Sequence, residues 1–151
     1  MDQNLKFKSN KKIRIAIIGG SYDSTISKSH LRSILASNKF RIACGCFSRN
    51  KNNNGKNSEN YSIPKEKIYN DYQKLINLEH KNIDIALILT PPHNKYNIYY
   101  ELAKKNIGII SEKPFEGNLK KANKIYKFLK KKKNILFNHL QLPRLSCYFR
   151  N

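Results

Sequence analysis

The chain has 151 residues, three cysteines and a formal charge of +20. A chain of this length suits one domain that buries its own core without disulfides or metals. No stretch approaches the roughly 20 apolar residues of a membrane-spanning helix, and the N-terminus lacks the apolar core of a signal peptide. The odd number of cysteines, without a CxxC pair, indicates free thiols in a reducing compartment. We therefore expect a cytoplasmic protein without a metal site.

The positive charge admits a nucleic-acid-binding protein as an alternative. Lysine supplies most of the excess, together with many asparagines and isoleucines, and all three have AT-rich codons. Proteins that read nucleic acids favour arginine for bidentate contacts, and arginine is scarce here. Base composition of the genome therefore explains the charge better than an anionic partner does, although the lysines at residues 130–133 can still bind polyanions weakly.

Apolar periodicity predicts alternating strands and helices along the chain. In chain order, the prediction is a flexible polar lead at residues 1–12, a strand at 13–18, a helix at 25–37, a strand at 40–47, a long loop or poorly formed helix at 48–62, a short strand end at 68–69, a helix at 71–78, a strand at 83–89, a helix at 96–105, a strand at 107–110, a helix at 118–133 and a strand at 135–137. This alternation implies an α/β fold with a parallel sheet covered on both faces. The expected architecture is a single three-layer, doubly wound domain of the Rossmann type.

The loops with chemical character all follow predicted strands. They lie at residues 19–25, 48–50, 90–95 and 112–114, at the carboxyl ends of four strands. Ligands of doubly wound sheets bind in the crevice outside these ends. The convergence of the four loops at one rim of the sheet predicts a nucleotide site there.

The first of these loops has the small residues that a dinucleotide site needs. Gly19 can make the tight turn after the strand, and Ser21 and Ser24 stand where the glycine-rich fingerprint has its second and third glycines. Backbone amides of the loop and of the helix that starts at Thr25 can then approach a pyrophosphate. The alternative is an ordinary turn at Gly19 and Gly20 between a strand and a helix.

The loop after the second strand bears on the choice of cofactor. In domains that bind NAD, an acidic residue in this loop accepts a hydrogen bond from the ribose 2′-hydroxyl. This chain has Ser48 and Arg49 at that place instead. Both can meet a 2′-phosphate, and Arg49 can stack on adenine, which favours NADP slightly over NAD. The alternative for Arg49 is a solvated surface residue.

Two further loops contain proline. The segment Thr90-Pro91-Pro92 must leave the sheet, since proline cannot continue a ladder, and it can form a wall beside a nicotinamide. The segment Glu112-Lys113-Pro114 places a lysine at a strand end, where its amino group can assist proton transfer at a substrate hydroxyl. The alternatives are a strand terminator and a salt-bridged surface pair, respectively. We expect His93 to be exposed loop material.

Together these segments resemble the Gfo/Idh/MocA family, named after glucose–fructose oxidoreductase and inositol dehydrogenase, over about residues 13–143. The similar segments are IRIAIIGGSYDSTISKSHLR, CFSRN, IYNDYQKLI, IDIALILTPP and IISEKPFEGNLKKA, whose EKP element precedes a predicted helix. Their order and spacing are more specific than any one of them. The first loop is similar to the subgroup pattern GGGxxSxIGxxHR, which Ser24, Ile26, His30 and Arg32 approach.

The resemblance implies a two-domain enzyme that uses NAD or NADP on sugars, inositols or related polyols and their nucleotide conjugates. It implies that Lys113 is the active-site lysine and that the Lys113–Pro114 peptide can be cis. It also implies that Tyr72, Thr90 and Pro91 lie along the cofactor.

The chain departs from the family pattern at three places. Ser21 and Ser27 stand where glycines are expected, and Lys95 stands where a histidine usually follows the Thr-Pro element, with His93 two positions earlier. The resemblance implies a second domain, which supplies the sheet over the nicotinamide and the usual catalytic Asp and His, and we expect that domain to be absent from these 151 residues. We expect residues 13–139 to be the NAD(P)-binding domain and residues 140–151 to be the truncated start of the substrate domain.

The leading hypothesis is the nucleotide-binding domain of an NAD(P)-dependent oxidoreductase, either truncated or completed by a complementing polypeptide, and inactive without that second domain. An exposed sheet edge or face where the second domain belongs would favour a homo-oligomer. A sugar or polyol substrate is expected only when that domain is supplied. The alternatives are a non-catalytic dinucleotide-binding or scaffolding protein and, behind it, the basic nucleic-acid-binding protein. The predicted catalytic residue is Lys113, and the predicted cofactor-binding residues are Gly19, Gly20, Ser21, Ser24, Thr25, Ile26, Ser48, Arg49, Tyr72, Thr90, Pro91, Pro92, Lys95, Glu112, Lys113 and Pro114.

Overall fold

The computed structural model describes residues 11–48, 51–132 and 136–138. Its strands are β1 (Ile13–Gly19), β2 (Phe40–Cys46), β3 (Ile85–Leu89), β4 (Gly108–Ser111) and β5 (Leu136–Asn138). Its helices are α1 (Thr25–Ala36), α2 (Lys51–Tyr61), α3 (Tyr72–Glu79), α4 (Lys95–Lys104) and α5 (Leu119–Lys131). Nearly all of the predicted lead at residues 1–12 and all of residues 140–151 lie outside the described residues.

The five strands of the described residues form one parallel sheet in the order β2-β1-β3-β4-β5. A single parallel bridge between Gly45 and Ile68 adds an extended segment outside β2, where the Tyr69 amide donates to the Gly45 carbonyl at 2.8 Å. With that segment counted as a strand, the order becomes the 3-2-1-4-5-6 of dinucleotide-binding folds. The predicted doubly wound parallel sheet is confirmed, and the strand end predicted at residues 68–69 is reduced to this bridge.

The side chains of β1 alternate between two cores, one on each face of the sheet. Ala16 and Ile18 belong to the core under α3, α4 and α5, whereas Ile15 and Ile17 belong to the core under α1 and the end of α2. The resulting three layers are those predicted, and they hold the strand ends from which the rim loops start. Truncating a fully buried side chain such as Leu102 is expected to cost about 2–5 kcal/mol.

The sequence predicted either a long loop or a poorly formed helix at residues 48–62, and the structure has helix α2 there. Its buried side chains include Asn54, Asn57 and Ser58 rather than an apolar stripe, so the helical period of hydrophobicity is absent. Hydrogen bonds within the fold satisfy these groups, and the Ser58 hydroxyl, for example, donates to the Ile63 carbonyl at 2.6 Å. The helix is therefore formed by polar packing, which sequence periodicity does not detect.

The other elements end within two residues of their predicted bounds. Side chains cap two of these helices, since the Asp71 side chain accepts from the Lys74 amide at 2.8 Å and the Asn118 side chain accepts from the Lys121 amide at 3.1 Å. None of the helices in the described residues has the length and apolar character required to cross a membrane.

Candidate functional site

A cleft of about 340 Å³ opens at the carboxyl ends of β1, β2 and β3. The chain passes from β1 to β2 on one side and returns to β3 on the other side of β1. The cleft therefore lies at the switch point where doubly wound sheets bind ligands. Its lining residues are Ile18, Gly19, Cys46, Phe47, Ser48, Asn70, Asp71, Tyr72, Thr90, His93, Asn94, Asn97 and Ile98.

Four residues predicted from the sequence line this cleft, namely Gly19, Ser48, Tyr72 and Thr90. They come from four separate segments of the chain, which the strand order brings together. His93 is exposed, as expected for loop material, but it also lines the cleft.

Sequence reasoning missed four polar residues of the cleft. Asn70 and Asp71 precede α3, while Asn94 and Asn97 flank the start of α4. Both helices begin at the rim of the sheet, and polar residues at the start of a rim helix face the site. That position in the predicted order of elements was the signal available for finding them.

The first loop lies over the end of β3 at a distance that requires glycine. Gly19 and Gly20 have φ values of +81° and +70°. A Cβ at Gly19 would lie 2.7 Å from the Thr90 methyl carbon, and one at Gly20 would lie 2.6 Å from Leu89 Cδ1. Beside this loop, the Thr90 hydroxyl is buried and has no hydrogen-bond partner within the described ranges. The Gly19-Gly20 backbone, which lies close to β3, and the Thr90 hydroxyl therefore lie side by side at the cleft.

The N-terminus of α1 stands next to that loop. The Ser24 side chain caps the helix by accepting from the Ser27 amide at 3.4 Å, and the Ser24 amide donates to the Ser21 carbonyl at 2.9 Å. Thr25 and Ile26 form the exposed first turn. Because the first amides of a helix lack intrahelical acceptors and carry partial positive charge, this end suits a phosphate.

Two asparagine side chains of α2 form hydrogen bonds with the loops on both sides of this region. The Asn57 side chain accepts from the Tyr22 amide at 2.7 Å in the first loop. The Asn54 side chain accepts from the Ser48 amide at 3.1 Å and donates to the Ser48 carbonyl at 2.8 Å after β2. Helix α2 therefore sets the positions of two loops that flank the cleft, a role that sequence reasoning missed.

The end of β2 supplies Cys46, Phe47 and Ser48 to the cleft. None of these three side chains is a carboxylate. The Phe47 ring stacks on Tyr61 of α2 with centroids 4.6 Å apart. Arg49 lies outside the described residues, and its contact with a 2′-phosphate or adenine stays a prediction.

Two prolines turn the chain away from the end of β3. Pro91 is exposed, and Pro92 starts a short 3-10 turn, Pro92–Asn94, that leads into α4. A Cβ at Gly117 would lie 3.7 Å from Pro92 Cβ, so this turn approaches the segment that follows β4. The third and fourth predicted loops are therefore neighbours.

The loop after β4 carries Lys113 at the same rim, because β4 lies beside β3. The Lys113–Pro114 peptide is cis, in agreement with the resemblance. The Glu112 amide donates to the Ile88 carbonyl at 3.2 Å, and the Glu112 carboxylate lies 2.5 Å from the His30 ring nitrogen Nε2. Neighbouring elements therefore hold the loop, while the Lys113 side chain is exposed.

Lys95 lies beneath this loop and not at the mouth of the cleft. Its side chain is 1% exposed, and Nζ donates to the carbonyls of Glu112 and Pro114. Burial lowers the pKa of the Lys95 ammonium, while the carboxylates of Glu112 and Glu116 act in the opposite direction. The direct cofactor contact predicted for Lys95 does not fit this geometry, because its ammonium already donates hydrogen bonds to two carbonyls of the loop backbone.

A larger hollow of about 470 Å³ lies between α3, α4 and α5. Its lining includes Gln73, Tyr100 and Lys124, and it shares Asn97 with the cleft. No strand end or glycine loop contributes to it, so it lacks the converging backbone amides that bind phosphates. The smaller cleft at the switch point is therefore the candidate site.

The switch-point cleft, the two-glycine loop and the adjacent helix N-terminus define a Rossmann-type dinucleotide-binding domain. Residues 13–140 match the family described as an oxidoreductase family with an NAD-binding Rossmann fold. The chain belongs to this Gfo/Idh/MocA family as its NAD(P)-binding domain.

Several solved structures have the same fold. An oxidoreductase from Sinorhizobium meliloti superimposes with a TM-score of 0.79 and 23% identity over 85% of this chain and 37% of that chain. An inositol dehydrogenase homologue complexed with NAD+ from Azotobacter vinelandii superimposes with a TM-score of 0.78 and 20% identity over 85% and 34% of the two chains. Biliverdin reductase in complex with biliverdin and NADP+ from Synechocystis sp. PCC 6803 gives a TM-score of 0.71 and 16% identity over 83% and 37%.

These identities relate the proteins by fold alone. The chain spans little more than a third of the length of the solved structures that it matches. No curated protein has a sequence that matches it.

Proposed function

We propose that this chain is the cofactor-binding domain of an NAD(P)-dependent oxidoreductase that acts on a hydroxyl group of a sugar, an inositol or a related polyol. The observation that carries the proposal is the presence of three features at one rim of the sheet. The Gly19-Gly20 loop and the N-terminus of α1 suit a pyrophosphate, and the exposed Lys113 suits a reacting hydroxyl.

The residues at the cleft fit a dinucleotide. Its volume of about 340 Å³ falls in the range of small-molecule sites. The space beside Gly19 and Gly20 admits no Cβ because this loop lies directly against the end of β3, as in the tight first turn of dinucleotide-binding domains. The buried Thr90 hydroxyl offers a hydrogen bond that no described residue uses.

Each part of the cofactor has its own residues in this proposal. The amides of Ser21, Thr25 and Ile26, with the Ser24 hydroxyl nearby, would hold the pyrophosphate. Ser48 would lie at the adenosine ribose and Tyr72 along the cofactor. Thr90, the two prolines that follow it and the Glu112-Lys113-Pro114 loop would surround the nicotinamide.

Lys113 is the proposed group for proton transfer. The bound dinucleotide supplies a nicotinamide that accepts or donates a hydride. Lys113 would take the proton of the substrate hydroxyl when the alcohol is oxidised to a carbonyl. In the reverse direction Lys113 would return the proton to the carbonyl oxygen.

A preference for NADP over NAD belongs to the same proposal. Ser48 stands at the end of β2, where NAD-specific domains place a carboxylate on the ribose. A hydroxyl at Ser48 and a guanidinium at Arg49 suit a 2′-phosphate, with which arginine makes strong charge-assisted hydrogen bonds. We expect Arg49→Ala to weaken NADPH binding more than NADH binding.

Substrate turnover, in this proposal, needs a second domain. The solved structures extend well beyond the part that this chain covers. A second domain would supply the groups that cover the nicotinamide and orient the polyol. The chain alone is therefore expected to bind cofactor without oxidising substrate.

Titration of the chain with NADPH and NADH, followed by fluorescence or calorimetry, tests the proposal. Saturable binding, tighter for NADPH, is expected. The absence of binding at millimolar cofactor would overturn it and leave a non-catalytic scaffolding protein or a nucleic-acid-binding protein. DNA binding with a steep salt dependence would favour the second of these.

A further inference from the structure

The lysine at the start of α4 is buried under the loop that carries Lys113. The Lys95 ammonium donates to the Glu112 carbonyl and, at 2.9 Å, to the Pro114 carbonyl. These two carbonyls stand on either side of Lys113 in the chain. One ammonium therefore holds the backbone both before and after the proposed catalytic residue.

Tyr99 extends this contact by one more residue of the loop. It lies one helical turn after Lys95, is fully buried, and donates its hydroxyl to the Phe115 carbonyl at 2.9 Å. The same hydroxyl lies 2.7 Å from the Ser111 hydroxyl at the end of β4. Its ring stacks on Phe115 with centroids 4.9 Å apart and planes at 16°. Helix α4 thus contacts the loop backbone at three carbonyls.

Burying an ammonium group costs free energy, because the charge loses its hydration. An apolar side chain of similar length would occupy the same volume without losing the hydration of a charge. The hydrogen bonds to the two carbonyls offset part of that cost for Lys95. The carboxylates of Glu112 and Glu116 are the charged groups that act on it. What the charge provides, and an apolar residue would not, is a defined position for the loop backbone.

We propose that Lys95, supported by Tyr99, is a positioning residue that fixes the backbone of residues 112–115 so that the Lys113 amino group is presented at the cofactor cleft. The proposal rests on the function proposed for Lys113. Its structural half concerns the cofactor-free chain, so it can be tested separately.

The six glycines of the chain offer a sparse set of NMR reporters after selective 15N-glycine labelling. Gly117 follows the loop, whereas Gly55 lies on α2 with no atom within 4 Å of its Cβ position. In the cofactor-free chain, Lys95→Met is expected to shift or broaden the Gly117 resonance and to leave Gly55 in place. Lys104→Met, the same change at an exposed site of the same helix, is expected to move neither. A Gly117 resonance at its wild-type position in folded Lys95→Met overturns the proposal.

Tyr99→Phe covers the case in which Lys95→Met does not fold. This variant keeps the ring that stacks on Phe115 and removes only the hydroxyl. It is expected to fold and to move the Gly117 resonance, because one of the three carbonyl contacts is lost. An unmoved Gly117 resonance in Tyr99→Phe would count against positioning by α4.

A second readout uses bound NADPH, whose fluorescence lifetime reports how firmly its nicotinamide is held. Lys95→Met is expected to shorten this lifetime while the affinity changes little, because the predicted pyrophosphate and adenosine contacts lie in other loops. An unchanged lifetime overturns the link from Lys95 to the nicotinamide end. If the wild-type chain binds no NADPH but Gly117 moves in Lys95→Met, the proposed function fails and the positioning of the loop stands.

Discussion

The His30 ring and the Glu112 carboxylate lie 2.5 Å apart, although 82 residues separate them in the chain. His30 belongs to α1, whose N-terminus stands at the first loop, and Glu112 precedes Lys113 in the loop after β4. Their side chains are 17% and 23% exposed, so solvent screens this pair less than a surface ion pair. The contact joins the proposed phosphate-binding half of the rim to the half that carries the lysine.

A double-mutant cycle of His30→Ala and Glu112→Gln is expected to give a coupling energy of about 0.5–3 kcal/mol, as for other residues in direct contact. Urea unfolding of the four proteins measures it. The exposed pair Lys104 and Glu101, 3.4 Å apart on α4, is the matched control. Its coupling is expected to stay below about 0.5 kcal/mol. Equal values for the two pairs would contradict a special link between α1 and the loop.

Gly19→Ala is expected to destabilise the chain by more than about 1 kcal/mol and to abolish NADPH binding. The backbone there has φ +81°, and the new Cβ would lie 2.7 Å from the Thr90 methyl carbon. Thermal unfolding and a fluorescence titration measure the two effects. Gly55→Ala is the control, because Gly55 is helical with open space around it. It is expected to raise stability by about 0.5–1 kcal/mol and to leave cofactor binding intact.

Asn57→Ala is expected to cost about 1–3 kcal/mol, since it leaves the Tyr22 amide without its acceptor in a buried place. The first loop then loses its tie to α2, and NADPH affinity is expected to fall as well. Asn60→Ala removes an exposed amide that donates within the same helix. It is expected to change stability by less than about 0.5 kcal/mol. Similar losses in both variants would mean that α2 is fastened in another way.

The parts of the fold that sequence reasoning predicted carry local signals. Strands β1 and β3 are continuous apolar runs because both of their faces are buried. Gly19-Gly20 and Pro91-Pro92 mark where these strands end, since each supplies a backbone feature that the turn needs. The rim of the sheet and the cleft residues Gly19 and Thr90 follow from those signals, whereas Tyr72 was predicted from the family resemblance.

The parts that sequence reasoning did not reach depend on partners far away in the chain. The buried Asn54 side chain forms hydrogen bonds with the backbone of Ser48, and hydrophobic periodicity does not reveal such a contact. Lys95 has the residue type of a cofactor contact, but burial under the Glu112 and Pro114 carbonyls decides its role. Such polar contacts between distant segments become visible only when the sheet has placed the loops side by side.

Lys113→Ala is expected to lower turnover by about 10²–10⁴-fold, the usual contribution of a proton-transfer group, once a second domain is supplied. NADPH affinity is expected to stay nearly unchanged, because the phosphates and the adenosine are held elsewhere. Steady-state rates and a binding titration measure the two effects. Lys120→Ala, at an exposed position on α5, is the control and should match the wild type. Surviving turnover in Lys113→Ala would assign proton transfer to another group.

The carboxylate of Glu79 predicts the response of the fold to acid. Its side chain is 5% exposed and accepts from Lys67 Nζ at 2.7 Å, from the Tyr69 hydroxyl at 2.6 Å and from the Asn82 amide at 3.2 Å. Burial alone would raise the pKa of this carboxyl. The three hydrogen bonds and the Lys67 charge have the larger, opposite effect, so the pKa lies below its ordinary value of 4.5. A carboxyl with a lowered folded-state pKa stabilises the fold above its unfolded pKa and loses that effect as the pH falls through the folded value.

The free energy of unfolding is therefore expected to decrease as the pH falls below about 4.5. Glu79→Gln is expected to cost about 1–3 kcal/mol at pH 7, because three hydrogen-bond donors lose a charged acceptor that is itself buried, and to flatten the dependence on pH. Urea unfolding between pH 3 and pH 7 measures both effects. Glu59→Gln, at an exposed carboxylate on α2, is the control and should keep the wild-type slope. If Glu79→Gln kept that slope too, the acid response would originate in other carboxyls, of which Asp84 beside Arg14 also has a lowered pKa.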